Sequence, residues 1–514
     1  MEKSNKTIPR DSCTISPWQT LKEPFVAIAD GSKTETVYDV IIVGAGITGL
    51  TTALLLQQAG KRCVVVEAGK IGFGTTGGTS AHLNTFFDAT YPEVERDFGK
   101  QAAKELAEAG KEARSIIASL AGEYGIDCEL EYKDGYLFSE TGKQTDQLEQ
   151  ILQASLRAGI AVGESQTNDV PVPFERAIRF SRQGQFHPLK YIQGLAGAFQ
   201  KLGGEILEES FVGDHGQAEG NIDVHIEGRS LRGRNLVYAT HIPPGITSFS
   251  FRCAPYRSYV LGIELKDDNY PSGLAYDMQE PYHYFRTHKI DGSKYLILGG
   301  ADHKTGHGDP EQAFSDLESY ARKYYGVKSI PFRWSSQYYV PVDGLPYIGL
   351  LNEQVYIATG FNGNGMMFGT IAAKIIADMV LGIQNRFERL FSPSRLKPVA
   401  GFSEFVKENA DVAWRFVADR FGIQELEKLS QLSTGEGRIA EFDGKKLALY
   451  KDVNGKVTAL NPICSHAGCT VIFNAAEKSW DCPCHGGRFD LSGKVVCGPP
   501  RTDLEKVEFK GNKS

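Results

Sequence analysis

Toward the C-terminal end, Cys464-Ser-His466-Ala-Gly-Cys469 and Cys482-Pro-Cys484-His485-Gly-Gly set thiols and imidazoles in two short boxes. Cys464 with His466 and Cys482 with His485 offer two thiolates and two imidazoles. Such a set holds a 2Fe-2S cluster in which His replaces Cys on one of the two irons. On ligand chemistry alone the same four groups also suit tetrahedral zinc. If the group is the cluster, it carries single electrons and makes no product by itself, so the rest of the chain has to supply or receive them.

Around the four ligands stand surplus residues: the second cysteines Cys469 and Cys484, the glycines Gly468 and Gly486, and downstream Gly498-Pro499-Pro500. With them the stretch resembles the Rieske family. The resemblance implies a disulfide between Cys469 and Cys484 and a covering loop at Gly498 to Pro500. High-potential members of that family have a Ser after the His-Gly pair and a Tyr two residues later, both donating to cluster sulfurs. Here Gly487 and Phe489 stand in those places. Hydrogen bonds to the sulfurs raise the potential, so the expected value lies below that of the respiratory members.

A second chemical signal opens the main body. Tyr38-Asp-Val-Ile-Ile-Val43 is a β-branched run that leads into Gly44-Ala-Gly46-Ile-Thr-Gly49 and then the apolar stretch Leu50 to Ala59. The first glycine permits a tight turn, the second lets backbone approach a pyrophosphate at a helix N-terminus, and the third lets helix and strand pack closely. A second β-rich run, Arg62-Cys-Val-Val-Val-Glu67, ends in an acid about 20 residues on, where a carboxylate accepts from ribose hydroxyls. The pattern predicts a strand, a glycine turn and a helix that bind a dinucleotide.

Three further stretches choose among dinucleotides: Ile71 to Ala81, rich in Gly and Thr; Val342-Asp-Gly-Leu-Pro-Tyr-Ile-Gly349; and Ala358-Thr-Gly-Phe-Asn-Gly-Asn-Gly-Met-Met-Phe-Gly369 ahead of the helical stretch Ile371 to Leu381. Together with Gly184 to Lys190 and Gly203 to Leu207, they resemble the D-amino-acid oxidase and glycine oxidase superfamily of FAD enzymes, over roughly residues 38 to 385. The resemblance implies that Gly44, Gly46, Gly49 and Glu67 hold the ADP half, that Val212 meets the adenine, and that Gly360, Gly363, Gly365 and Met366 lie by the isoalloxazine. Thr79 stands near one of the family's covalent attachment places and no Cys near the other, so dissociable FAD is expected.

In that family a hydride equivalent passes to the flavin from a carbon next to nitrogen. Several members that oxidise amino acids clamp the substrate carboxylate with an Arg four residues after a Trp. Here Trp334 is followed at that spacing by Tyr338, which tilts the expectation toward an amine or an N-substituted compound. Arg286 and Lys304 are the remaining candidates for anion binding, although an Arg in the aromatic run Tyr282-His-Tyr-Phe-Arg286 reads first as a structural partner, and the run itself as core. Glu280, His283 and His288 have the spacing of a mononuclear-iron triad. On a strand, however, positions five apart face opposite sides, which argues against oxygenase chemistry.

With 514 residues, the chain has room for several domains, and 41% hydrophobic with 23% charged residues is the balance of a globular protein. A net charge of −7 argues against nucleic acid or anionic membrane as partners. Neither a signal-peptide core nor a membrane-length apolar run is found, so a cytoplasmic protein is expected, and the scattered Cys13, Cys63, Cys128, Cys253 and Cys497 fit a reducing compartment. The expected organisation is a polar leader over 1–37; an α/β Rossmann-like FAD domain over 38–385, with an interleaved α+β substrate part at about 96–175 and 246–334; a linker with a helix near Asp411 to Phe421 over 386–430; and an all-β Rieske domain over 431–514. The leading expectation is a relay from substrate C–N bond to FAD to cluster, with an exposed His466 and His485 edge passing electrons to a partner. An oxygen-using oxidase with a docking or sensing Rieske module, and a non-catalytic electron carrier, are the alternatives.

Overall fold

The computed structural model describes residues 10–21, 36–226, 228–395, 426, 429–442 and 444–508. The expected linker helix at Asp411 to Phe421 lies outside the described residues.

The run before the glycine motif is a strand, Val37–Val43, flanked in parallel by Cys63–Val66 and Arg229–Tyr238. Glu205–Leu207 and Val355–Thr359 extend the parallel set on either side, and Tyr347–Asn352 closes one edge antiparallel. Burial on both faces explains the uninterrupted β-branched sequence of its central strands. Val43 and Val66 are register partners, so the adjoining strands end level and their carboxyl ends open together. Helix Ile47–Gln58 starts at this edge with Gly46 as an N-cap that has no side-chain cap. It packs on the mostly buried helix Gly365–Leu381, where Gly369 is required: a Cβ there would come within 2.7 Å of Thr48 Oγ1.

A second, largely antiparallel sheet runs in the order Val327–Pro341, Cys253–Leu265, Ser293–Lys304, Tyr284–Ile290, Leu274–Asp277, Glu131–Ser139, Arg176–Gln185 and His82–Leu83. Its strands come from segments inserted between the elements of the first sheet. Residues of this sheet and of the carboxyl edge of the parallel strands together line a cavity of about 880 Å³.

The C-terminal part is all β. Gly437–Phe442, Lys445–Lys451 and Val457–Leu460 form one meander; Ile472–Asn474, Ser479–Asp481, Arg488–Phe489 and Val495–Cys497 form the other. Both Cys/His boxes lie in loops of this part. The loops make the same turn twice: the amide of Gly468 donates to Cys464 O and that of Gly486 to Cys482 O, both at 3.1 Å, with φ of 80° and 73° that favour glycine.

Residues 10–21, expected to be part of a leader, are instead packed into the fold. Trp18 is fully buried and donates to Thr79 O, while Arg10 and Asp11 are buried between the two halves of the chain. They join a buried charge network: Asp11 with Arg488, Arg488 with Asp481, and Arg10 and Arg257 with Glu477. Removing one member of such a set leaves a buried charge without its partner, at a cost of about 3–5 kcal/mol. The network therefore fixes how the C-terminal part sits on the sheets.

Candidate active site and iron-sulfur centre

Gly44, Gly46, Glu67, Val212, Gly363, Gly365 and Met366 all line the one cavity. Gly44 has φ +107°, and a Cβ on it would meet Ala239 O at 2.5 Å; a Cβ on Gly49 would sit 1.9 Å from Gly44 O. Gly49 and Gly360 therefore shape the turns rather than line the space. Glu67 accepts from the amides of Ala45 and Gly69, each at 2.8 Å. Burial pushes its carboxyl up, and those backbone donors hold it down. A glycine turn without side chains, a helix N-terminus and an acid at the next strand end make a cradle that fits a dinucleotide.

At the far side of the cavity the second sheet contributes Ser258, Tyr276, Tyr284, Asp302 and Tyr338, joined by His82, Asn84, Asp88 and Tyr282. Tyr338 donates to Asp302 Oδ2 at 2.7 Å and Ser258 to Oδ1 at 2.5 Å. Burial raises the Asp302 carboxyl to about 7. Asp88 accepts from the amide of Gly363 at 2.6 Å, and burial raises its pKa too.

Of Tyr338, Arg286 and Lys304, only Tyr338 reaches this space. The guanidinium of Arg286 is spent on the carbonyls of Ser80, Ala81 and Phe186 and on His288 Nδ1, behind the cavity wall. Lys304 does not line the cavity; its charge acts on His485 instead. The reading of Tyr282 to Arg286 as core is corrected in part, because Phe285 is core whereas Tyr282 and Tyr284 face the cavity. Glu280, His283 and His288 form no iron triad: His283 bonds Asp277 at 2.7 Å and His288 bonds Glu129 at 2.6 Å. Asp302, which neighbours the weak candidate Lys304, was missed because its role depends on strand register with Ser258 and Tyr338.

In the C-terminal part the disulfide joins Cys469 and Cys484. Cys464 and Cys482 are free, buried and within hydrogen-bonding reach of each other. The rings of His466 and His485 are 4.9 Å apart, and their Nδ1 atoms are buried without a hydrogen-bond partner. Two free thiols and two unpartnered ring nitrogens fit a two-iron cluster.

The expected exposed histidine edge is corrected here. His485 is 2% exposed and packs edge-on against Phe251 at 5.4 Å, and His466 is half-buried with Ser250 Oγ 3.5 Å from its Nε2. Both histidines face the larger half of the chain because that face is sealed by bonds to it. Gln337 donates to Gly486 O at 2.9 Å, Tyr339 to His485 O at 3.1 Å, and the amide of Gly245 to Pro499 O at 2.9 Å. Val495, Val496, Cys497, Gly498 and Pro500 cross the seam and form one wall of the large cavity.

The loop over the cluster residues also explains the missing sulfur donor. A Cβ on Gly487 would lie 2.5 Å from Pro500, so a serine there does not fit. With Phe489 in the other position, the cluster potential is expected well below the top of the roughly −150 to +300 mV range, measured by redox titration with EPR; a value near the upper limit would contradict this account.

The chain belongs to the FAD dependent oxidoreductase family, whose model matches residues 39–379, and carries a Rieske [2Fe-2S] domain at residues 423–508. It is thus a flavin oxidoreductase joined to a Rieske domain, in a family that binds FAD and a domain type that binds the 2Fe-2S cluster. Among its relatives is the Rieske 2Fe-2S iron-sulfur protein YhfW of Bacillus subtilis (strain 168), 33% identical over 92% of this chain and 94% of that one. Gamma-glutamylputrescine oxidoreductase of Escherichia coli (strain K12) is 26% identical over 68% of this chain and 85% of that one. Over 70% of this chain the fold is similar to that of glycine oxidase from Geobacillus kaustophilus, with a TM-score of 0.58 at 20% identity over 99% of that one. Among the described residues, no helix is long and apolar enough to cross a membrane.

Proposed function

We propose that the chain oxidises a C–N bond of a small amine or amino acid and passes the electrons through its own cluster to a partner. When bound, FAD supplies a two-electron acceptor and the cluster a one-electron carrier. Gly44, Gly46 and Glu67 hold the ADP half, Gly49 sets the turn, and Val212 meets the adenine. Gly363, Gly365 and Met366 would lie by the flavin ring, with Gly360, expected beside it, instead shaping the turn before them, and the flavin would bind without a covalent link. Cys464, His466, Cys482 and His485 hold the cluster.

The observation that carries this reading is the shared wall. Val495 to Gly498 and Pro500 of the Rieske domain line the same cavity as the glycine cradle. Between the cavity and the cluster loop stand His241 and Tyr339, with rings 4.7 Å apart, and Tyr339 reaches His485 O. A wall shared by the two sites favours the relay over an oxidase whose cluster serves only as a sensor. With His485 covered, His466 is the ligand nearer solvent and the exit toward the acceptor.

The test is an anaerobic titration of the holoprotein with amines and amino acids, following flavin bleaching optically and the cluster by EPR. Reduction of both centres by one substrate is the expected result. Reduction of the flavin alone would remove the cluster from the catalytic path.

A further inference from the structure

The far chamber of the cavity is a continuous wall of acids and phenols. Asn84 Nδ2 donates to Tyr276 OH, the Tyr276 ring lies 5.3 Å from that of His82, and His82 lies 5.7 Å from Tyr284. The Tyr284 hydroxyl is 3.0 Å from Ser258 Oγ, which donates to Asp302, and Tyr338 closes the other side. Tyr282 stands 6.0 Å from Tyr284 and donates to Asp88 at 3.4 Å.

Positive charge is scarce here. Among the described residues that line the cavity, the only Lys or Arg is Arg96, whose side chain is 68% exposed and paired with Asp97. His82 is held neutral by burial and by Arg286 behind it. The chamber nevertheless leaves acceptors without partners. Asn84 is 3% exposed and its Oδ1 has no hydrogen-bond partner, while Asp302 and Asp88 accept hydrogen bonds and form no salt bridge with a cation among the described residues. Buried carboxyl groups without a counter-charge are costly to ionise, and phenol faces attract cations.

We infer that this chamber recognises its substrate by an alkylammonium group, received by Asp302 and Asp88 among Tyr276, Tyr282, Tyr284 and Tyr338, and that it has no clamp for a substrate carboxylate. The substrate class is then cationic amines, primary or N-alkylated, rather than α-amino acids. This rests on the reading of the cavity as the site of C–N oxidation.

The pH dependence follows from the groups that face Asp302: Ser258, Tyr338, Tyr284 and Tyr282 donate or stay neutral, Asp88 opposes its ionisation, and His283 is tied to Asp277. Asp302 gains its charge as pH rises through about 7. An ammonium that stays protonated throughout therefore binds more tightly at pH 8 than at pH 6.

The experiment titrates oxidised holoprotein with tetramethylammonium, which cannot be turned over, and with propionate, following the flavin difference spectrum. Tetramethylammonium is expected to bind with the stated pH dependence, propionate to leave the spectrum unchanged, and Asp302→Asn to weaken the cation by at least about tenfold. Tyr338→Phe, which keeps the acid, is expected to lose less and serves if Asp302→Asn does not fold. Tighter binding of propionate, or an Asp302→Asn protein that binds the cation unchanged, would overturn the inference. Anaerobic bleaching by butylamine and by alanine separates it from the reading beneath it. If alanine bleaches the flavin in both proteins alike, C–N oxidation stands and the ammonium site falls. If the cation binds through Asp302 and neither compound bleaches, the ammonium site stands and C–N oxidation falls.

Discussion

Replacing Cys482 with Ser is expected to abolish the iron–sulfur EPR signal while the protein keeps its flavin absorbance. Cys482 is buried beside Cys464, and a cluster of this type takes thiolate sulfur on one iron and imidazole nitrogen on the other. Serine fills the same space but offers a hard oxygen with a far higher pKa, so one corner of the site is lost. The disulfide partner Cys484 and the Gly486 turn are untouched, and the loop keeps its covalent tie to Cys469. The substrate half-reaction should then persist as anaerobic bleaching, while turnover with an external one-electron acceptor falls to background. Bleaching and acceptor turnover that both continue at the wild-type rate would show that the cluster lies off the route.

Gly49→Ala is expected to give protein purified largely without flavin and with a lowered melting temperature. The new Cβ would be 1.9 Å from Gly44 O and 3.3 Å from Ile42 Cγ2, and both neighbours are fixed, one by backbone and one by a fully buried strand. Helix Ile47–Gln58 must then move off the turn that positions its N-terminus. Overpacking of this kind costs about 1–3 kcal/mol, and the displacement also spoils the anion site. Gly46→Ala is the useful contrast. Its Cβ meets only Thr76 Oγ1, at 3.0 Å, and faces the cavity. Stability should therefore hold while FAD affinity falls. Flavin-to-protein ratios and thermal denaturation of both variants, with and without added FAD, check the pair.

The residues legible in the sequence are those whose chemistry is local. Gly44 to Gly49 and Glu67 announce a turn because neighbouring positions make it, and the two Cys/His boxes announce a cluster because four ligands fall within about two short loops. What sequence could not give depends on partners far along the chain. Asp302 becomes the acid of the chamber only because its strand and that of Tyr338 flank Cys253–Leu265, so that Ser258 and Tyr338 both donate to it. Arg286 looks like a substrate clamp until the carbonyls of Ser80 and Ala81 are seen around it. The orientation of His466 and His485 is a property of domain docking, which no loop motif encodes. Arg10 and Asp11 read as a polar leader because charged residues are usually exposed; their burial follows from Glu477 and Arg488, almost the whole chain away.

That separation bears on how the protein is made. Arg488 donates to the carbonyl of Asp11 across 477 residues. On a ribosome adding about 5–20 residues per second, Asp11 emerges roughly half a minute to a minute and a half before its partner exists. During that interval the segment around Trp18 can settle on Thr79, but Arg10 and Asp11 have only each other and not yet Glu477 and Arg488. The seam between cavity and cluster is therefore closed by segments made far apart in time, and it cannot close before Arg488 has left the ribosome. Chains truncated before Arg488 should be recovered with residues 10–14 open to protease.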